Sequence, residues 1–74
     1  MTETGEIFYG NVEFYDPYKS FGFILADNKT KGTFFHGTYC REKVHLEEGE
    51  RVKFEEAVDK QGRTMAVNIR RLWN

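Results

Sequence analysis

The 74-residue sequence has one cysteine, one proline, no long apolar run and no marked excess of either charge. The single cysteine, Cys40, excludes an internal disulfide framework and is typical of a protein in a reducing compartment. The longest apolar stretch, around Phe21 to Leu25, is far too short to span a bilayer. The polar and acidic residues that follow Met1 do not form the apolar core of a signal peptide. We therefore expect a cytoplasmic domain with no membrane partner.

The charge balance limits how the protein can attract a polyanion. Eleven Lys and Arg residues against twelve Asp and Glu residues leave a formal charge of −1. General attraction to nucleic acid is therefore excluded, and binding of that kind needs a local surface. A chain of this length forms one domain, over residues 1–74, and buries only about 60% of its unfolded surface. We expect a monomer with a small, contiguous core.

Aromatic residues, in contrast, are abundant and unevenly placed. Ten of the twelve Phe, Tyr and Trp residues lie between Phe8 and Tyr39. A core of this size has no room for ten large rings, so several of them should be exposed. Exposed rings in a small domain favour binding of a flat partner.

Alternation of apolar and polar residues predicts strands along most of the chain, and no segment has the period of an amphipathic helix. Turn-forming residues separate the strands, as at Asp16-Pro17-Tyr18. The predicted strands cover residues 7–15, 19–26, 33–36, 50–58 and 63–72, with one helical turn near residues 38–41. Five short strands that close their own edges predict an all-β fold, a small five-stranded antiparallel barrel.

The second and third predicted strands contain the residues that indicate a function. Alternation along KSFGFI and TFFH places five side chains on one face: Lys19, Phe21, Phe23, Phe34 and His36. If the strands pair as a hairpin, four rings form one aromatic patch, made of Phe21, Phe23, Phe34 and His36, with Lys19 beside it. Bases stack on such rings at about 1–3 kcal/mol each, and a lysine supplies a phosphate contact.

The same rings could instead belong to the core, as paired Phe residues on adjacent strands usually do. The opposite face, however, already supplies a core set: Val12, Ile24, Phe35, Leu46, Val52, Phe54 and Ile69. Burying the aromatic patch as well would make the sheet apolar on both sides, which a single-layer barrel cannot hide. An exposed patch is therefore favoured.

At these residues the chain resembles the bacterial cold shock protein family. KSFGFI at residues 19–24 is similar to that family's first ribonucleoprotein motif, K-G-F-G-F-I, and TFFH at residues 33–36 is similar to its second, V-F-V-H. The resemblance extends over about residues 10–72 and includes three further segments in family order: GNVEFYD at 10–16, LEEGERVKF at 46–54 and AVNI at 66–69. It implies an OB-fold barrel that binds single-stranded RNA and DNA without catalysis. It also implies a role as an RNA chaperone or as a regulator of transcription or translation.

The resemblance also implies which residues form the site. The family's base-stacking positions fall on Phe14, Phe21, Phe23, Phe34 and His36, and Lys19 falls on a basic position that flanks them. Several positions depart from the family pattern: Glu13 replaces a usual Lys, Asp16 an Asn, Ser20 a Gly, and Gly37 and Lys43 replace aromatic residues. These departures remove ring surface and add negative charge, so we expect them to lower affinity rather than to change the mode of binding.

Two other kinds of site deserve comparison with a nucleic-acid surface. His36, Cys40 and His45 lie within ten residues and could be metal ligands or a thiol–imidazole pair. Structural zinc needs four ligands and a nucleophilic pair needs an orienting group, and the sequence offers neither, so we expect no metal, no cofactor and no enzyme. The alternative function is a small β-barrel module that grips a peptide with the same rings. Trp73 lies outside the family pattern and has no assigned role.

Overall fold

The computed structural model describes residues 2–39 and 46–72 and shows a closed β-barrel. Its elements, in chain order, are β1 (Thr2–Asp16), β2 (Phe21–Ala26), β3 (Thr33–His36), a 3₁₀ turn (Gly37–Tyr39), β4 (Arg51–Val58) and β5 (Thr64–Arg71). Around the barrel the strands follow the order β1-β2-β3-β5-β4. The predicted all-β, five-stranded OB-fold barrel is confirmed. In this described part of the chain, no helix has the length and apolar character needed to cross a membrane.

One strand pair differs from the antiparallel pattern that the sequence predicts. β3 and β5 run parallel, with Phe35 opposite Ala66, whereas the other four pairs are antiparallel. Parallel neighbours cannot be joined by a tight hairpin and need a long connection. Here that connection includes the whole of β4, and the pairing of β3 with β5 closes the barrel.

β1 is the longest strand because its first part pairs with one neighbour and its second part with another. It begins at Thr2 rather than at residue 7, and its first part pairs with β4 as far as Asn11. Its second part pairs with β2, from Gly10 opposite Ala26 to Asp16 opposite Phe21. β1 therefore joins β4 to β2 in the barrel wall.

The core lies inside the barrel and contains all seven residues that the sequence predicts for it. Each of the seven is at most 4% exposed: Val12, Ile24, Phe35, Leu46, Val52, Phe54 and Ile69. Phe8 joins them and stacks on Phe54, with ring centroids 5.6 Å apart. Tyr15 packs against this cluster with its ring 5.7 Å from that of Phe35 and nearly parallel to it. Each fully buried large side chain contributes about 1.5–3 kcal/mol through removal of its apolar surface from water.

Gly22 of β2 lies opposite Tyr15 of β1, at a position with no room for a side chain. A Cβ atom on this residue would run into the carbonyl oxygen of Phe14 and would lie 2.9 Å from Cε1 of Phe35. Glycine is therefore required here by space.

The start of β2 is where the structure corrects the sequence-based boundary. β2 begins at Phe21 rather than at Lys19, because the preceding residues form a turn organised by Asp16. The Asp16 carboxylate accepts hydrogen bonds from the backbone N–H groups of Tyr18 at 2.9 Å and Lys19 at 3.3 Å. The backbone carbonyl of Asp16 accepts one from the N–H of Ser20 at 2.8 Å. Lys19 therefore lies in a turn, and strand alternation does not determine where its side chain lies.

Candidate nucleic-acid interface

The register of β2 against β3 brings the four rings of the aromatic patch to one outer face. Phe21 lies opposite His36 and Phe23 lies opposite Phe34, while Gly22 and Phe35 occupy the intervening pair. The ring centroid of Phe34 lies 6.0 Å from both Phe21 and Phe23, and those two rings are 6.3 Å apart. The three phenyl rings therefore form one continuous surface.

Phe14 joins this surface through an irregularity in β1. The register against β2 shifts between Val12 and Phe14, so that Glu13 and Phe14 are both exposed although they are neighbours in the strand. Such a bulge re-aims a side chain that regular alternation would turn inward. The Phe14 ring consequently lies 5.9 Å from Phe21 and 6.4 Å from Phe23.

The rings are partly covered by one another rather than by the core. Phe14 and Phe34 are 39% and 37% exposed, and Phe21, Phe23 and His36 are half-buried. Because the core set fills the opposite side of the same strands, no further layer covers these rings among the described residues. Apolar ring surface that stays in contact with water is available to a flat apolar partner.

His36 presents a hydrogen-bond donor at the edge of the patch. Its Nδ1 atom accepts the backbone N–H of Thr38 at 3.3 Å and lies 3.0 Å from the Thr38 hydroxyl oxygen. An imidazole nitrogen that accepts a hydrogen bond carries no proton, so the neutral ring is protonated on Nε2. The Nε2–H group can therefore donate to a base carbonyl or to a phosphate oxygen.

Charge around the patch is mixed and does not favour a polyanion. An oxygen of the Glu13 carboxylate lies 2.5 Å from the position that a Cβ on Gly32 would take, and the same position is 3.1 Å from Cβ of Phe23. The Glu13 carboxylate therefore lies next to the patch. Lys19 is exposed in its turn, close in sequence to the Asp16 carboxylate that organises that turn. Stacking, rather than net charge, must supply most of the attraction for a nucleic acid.

The patch ends at His36 because of the residue that follows. A Cβ on Gly37 would lie 3.2 Å from the Tyr15 hydroxyl oxygen and 3.4 Å from Cβ of Ser20. The first distance would require the Tyr15 hydroxyl to shift by a few tenths of an ångström, and the second is an ordinary van der Waals contact. Gly37 therefore ends the patch because it has no side chain.

Sequence reasoning missed a groove that continues from the patch. Phe34 lines it together with Asp59, Arg63, Thr64 and Met65. The Arg63 guanidinium is held in place by Asp59 at 2.8 Å and by the Gln61 side chain at 2.8 Å. These residues reach Phe34 only because β3 pairs with β5, a contact between distant parts of the chain for which the sequence has no local signal.

The residues proposed for the other kinds of site are only partly placed. Cys40 and His45 lie outside the described residues, as do Lys43 and Trp73, which were not candidates for these sites. Across residues 2–39 and 46–72, no group of three or more His, Cys, Asp and Glu side chains is arranged to hold a metal ion. His36 lies on the outer face with the phenyl rings and bonds to Thr38.

Comparison with known proteins agrees with this geometry. The sequence model of the 'Cold-shock' DNA-binding domain family matches residues 8–72. The structure is similar to the solved structure described as drosophila Unr CSD456, with a TM-score of 0.77 at 20% sequence identity. That alignment covers 95% of this chain and 28% of the other, so the chain spans little more than a quarter of its length. At this identity the likeness shows a shared fold.

Proposed function

Because the chain belongs to the 'Cold-shock' DNA-binding domain family, a family of nucleic-acid-binding domains rather than enzymes, we propose that it binds single-stranded RNA and DNA by base stacking. The observation that supports this most directly is the continuous surface formed by Phe14, Phe21, Phe23 and Phe34 on the outer wall of the barrel. Every base has a π-face, so each stacked base contributes about 1–3 kcal/mol with little dependence on its identity. Low sequence selectivity follows.

The same geometry favours binding of single strands over binding of duplexes. In a duplex the faces of the bases are already stacked on their neighbours, and the rings on this convex wall cannot reach them. In a single strand the bases can turn outward and lie on the rings, while His36 donates a hydrogen bond from Nε2. With Glu13 beside the patch, few phosphates are neutralised.

We propose that binding of this kind makes the protein a nucleic-acid chaperone or a regulator of transcription or translation. A domain that binds only the unpaired form shifts the equilibrium away from the duplex by mass action, and this needs no ATP and no catalytic step. The lone cysteine is typical of a reducing compartment and supports action in the cytoplasm, where we propose that the domain is a monomer.

Titration of the protein with an oligothymidine strand, a poly-U strand and a matched duplex tests the proposal. Binding is followed by the ring resonances of the patch in NMR spectra. We expect both single strands to shift these resonances and the duplex to shift them far less. Equal affinity for the duplex would contradict the stacking mechanism. Absence of binding to any strand by the folded domain would favour the peptide-binding alternative.

A further inference from the structure

Two cationic side chains face each other on the wall of the barrel that lies away from the aromatic patch. Lys53 in β4 lies directly opposite Arg70 in β5. Lys53 lies between the buried residues Val52 and Phe54, so it points outward, and Arg70 is exposed. In the closed barrel neither β4 nor β5 is a neighbour of β2, the central strand of the patch. The two cations are therefore separated from Phe21 and Phe23 by β1 on one side of the barrel and by β3 on the other.

The pair is unusual because the other strand cations have carboxylate partners. Arg51 pairs with Asp27 at 2.5 Å, and Arg71 pairs with Glu50. Within residues 2–39 and 46–72, neither Lys53 nor Arg70 makes an ion pair. Like charges directly opposite each other on neighbouring strands are destabilising. An anion between them would convert this repulsion into attraction.

The surroundings of the pair define what the anion can be. Lys53 and Arg70 line one groove together with Glu55 and Asn68, and the Glu55 carboxylate pairs with neither cation. Glu55 therefore repels an anion from one end of the groove, so an anion would reach the two cations from the side of Arg70. On the other side of Lys53, β1 places Tyr9 directly opposite it, with 46% of that residue exposed. Two cations beside an exposed aromatic ring match the charge and the flat base of a nucleotide.

We propose that Lys53 and Arg70 bind a backbone phosphate of the single strand whose bases stack on the aromatic patch, with Tyr9 as an accessory stacking ring. This inference rests on the proposed function. A strand long enough to pass from one wall to the other would contact both surfaces. Sixteen stacked nucleotides, at about 3.4 Å each, span about 54 Å, and the longest dimension of the molecule is 31 Å.

The test compares Arg70→Gln with Lys60→Gln, a variant with the same change in charge at an exposed turn residue outside the groove. Both are titrated with a short and a long oligothymidine, of about four and about sixteen nucleotides, the limits of OB-fold site sizes. We expect Arg70→Gln to weaken binding of the long strand several-fold and to leave the short strand unchanged. The slope of log K against log salt for the long strand should become less negative by about 0.7, the value for one phosphate. Lys60→Gln should change neither.

A stability measurement separates a binding role from a structural one. Because Arg70→Gln removes the cross-strand repulsion, its urea midpoint should lie above that of the unaltered protein. A lower midpoint would mean that Arg70 supports the fold, and the inference would be overturned.

The remaining outcomes distinguish this inference from the proposed function. If the short strand binds, but Arg70→Gln and Lys60→Gln behave alike with the long strand, the second surface is wrong and stacking on the patch stands. If the unaltered protein does not bind the short strand, both proposals fail. Inorganic phosphate is the third probe. NMR shifts at Lys53 and Arg70 with phosphate, and none with the long strand, would identify a site for a free anion and overturn the inference.

Discussion

Phe34 and Phe54 are the same residue type on opposite sides of the barrel wall, at 37% and 1% exposure. Phe34→Ala should weaken single-strand binding by about 1–3 kcal/mol, since one stacking ring is lost. It should cost little stability, because solvent already reaches the ring. Phe54→Ala is the matched control and should cost about 3–5 kcal/mol of stability by leaving a cavity in the core.

Urea melts and strand titrations on both variants measure these two effects. If Phe34→Ala unfolds the domain, or Phe54→Ala leaves it as stable as before, the two faces of the strands have been assigned the wrong way round.

Ser20 is held in a conformation that its side chain disfavours. Its φ angle is 57°, in the left-handed region, where a residue with a Cβ costs about 1–2 kcal/mol. The strain persists because the turn is fixed at both ends: the Ser20 N–H donates to the Asp16 carbonyl, and the Ser20 carbonyl accepts the N–H of Gly37. Replacement by glycine removes the strain but adds freedom to the unfolded chain.

We therefore expect Ser20→Gly to raise the free energy of unfolding by about 0.5–1 kcal/mol, seen as a higher urea midpoint. Ser20→Ala keeps the Cβ and should give no such gain. A loss of stability in Ser20→Gly would show that the serine hydroxyl matters more than the backbone strain.

Close packing of β1, β2 and β3 depends on the absence of a side chain at Gly22. Gly22→Ala would push a methyl group into the Phe14 carbonyl and the Phe35 ring, neither of which can move without disturbing a strand. We expect a loss of about 3 kcal/mol or more, at the upper end for an overpacked site.

Gly32→Ala is the control variant for Gly22→Ala. A Cβ on Gly32 would also make a close contact, at 2.5 Å, but with the carboxylate end of the flexible Glu13 side chain. Glu13 can swing away, so thermal melts should show a much smaller loss for this variant. Equal losses for the two variants would contradict the view that the surroundings of Gly22 are more rigid than those of Gly32.

The stability of the whole molecule should fall in acid because two aspartates on its surface are held ionised. A hydrogen bond from the Arg51 side chain lowers the pKa of Asp27 below its ordinary value of 3.8, and backbone donation from Arg63 N–H lowers the pKa of Asp59. A carboxylate whose pKa is lower in the folded state stabilises the fold above its unfolded pKa. That contribution is lost as the pH falls through the folded value.

Urea melts at a series of pH values from about 5 downwards should therefore show the midpoint falling below about pH 4. Asp27→Asn removes one of the two groups and should make this fall shallower. Because both carboxylates are at the surface, added salt should reduce the effect. A midpoint that rises on acidification would contradict the assignment.

Local patterns in the sequence determine most of this protein. Alternation with a period of two identifies the five strands and six of the seven predicted core residues, all except Leu46, because one face of each strand must be buried and the other must not. The β2–β3 hairpin is local in the chain, so the grouping of Phe21, Phe23, Phe34 and His36 could also be predicted before the structure was known.

Irregular registers and one contact between distant segments decided the rest. The parallel pairing of β3 with β5, which brings Met65 to Phe34, depends on closing the barrel. The irregularities that place Glu13 and Phe14 side by side in β1, and that shift the β4–β5 register just after Lys53 and Arg70, depend on how the strands pack. A one-residue change in any of these registers would leave the sequence pattern intact and turn different side chains outward. Such registers are selected by the packing of the whole core, and for that reason only the tertiary structure contains them.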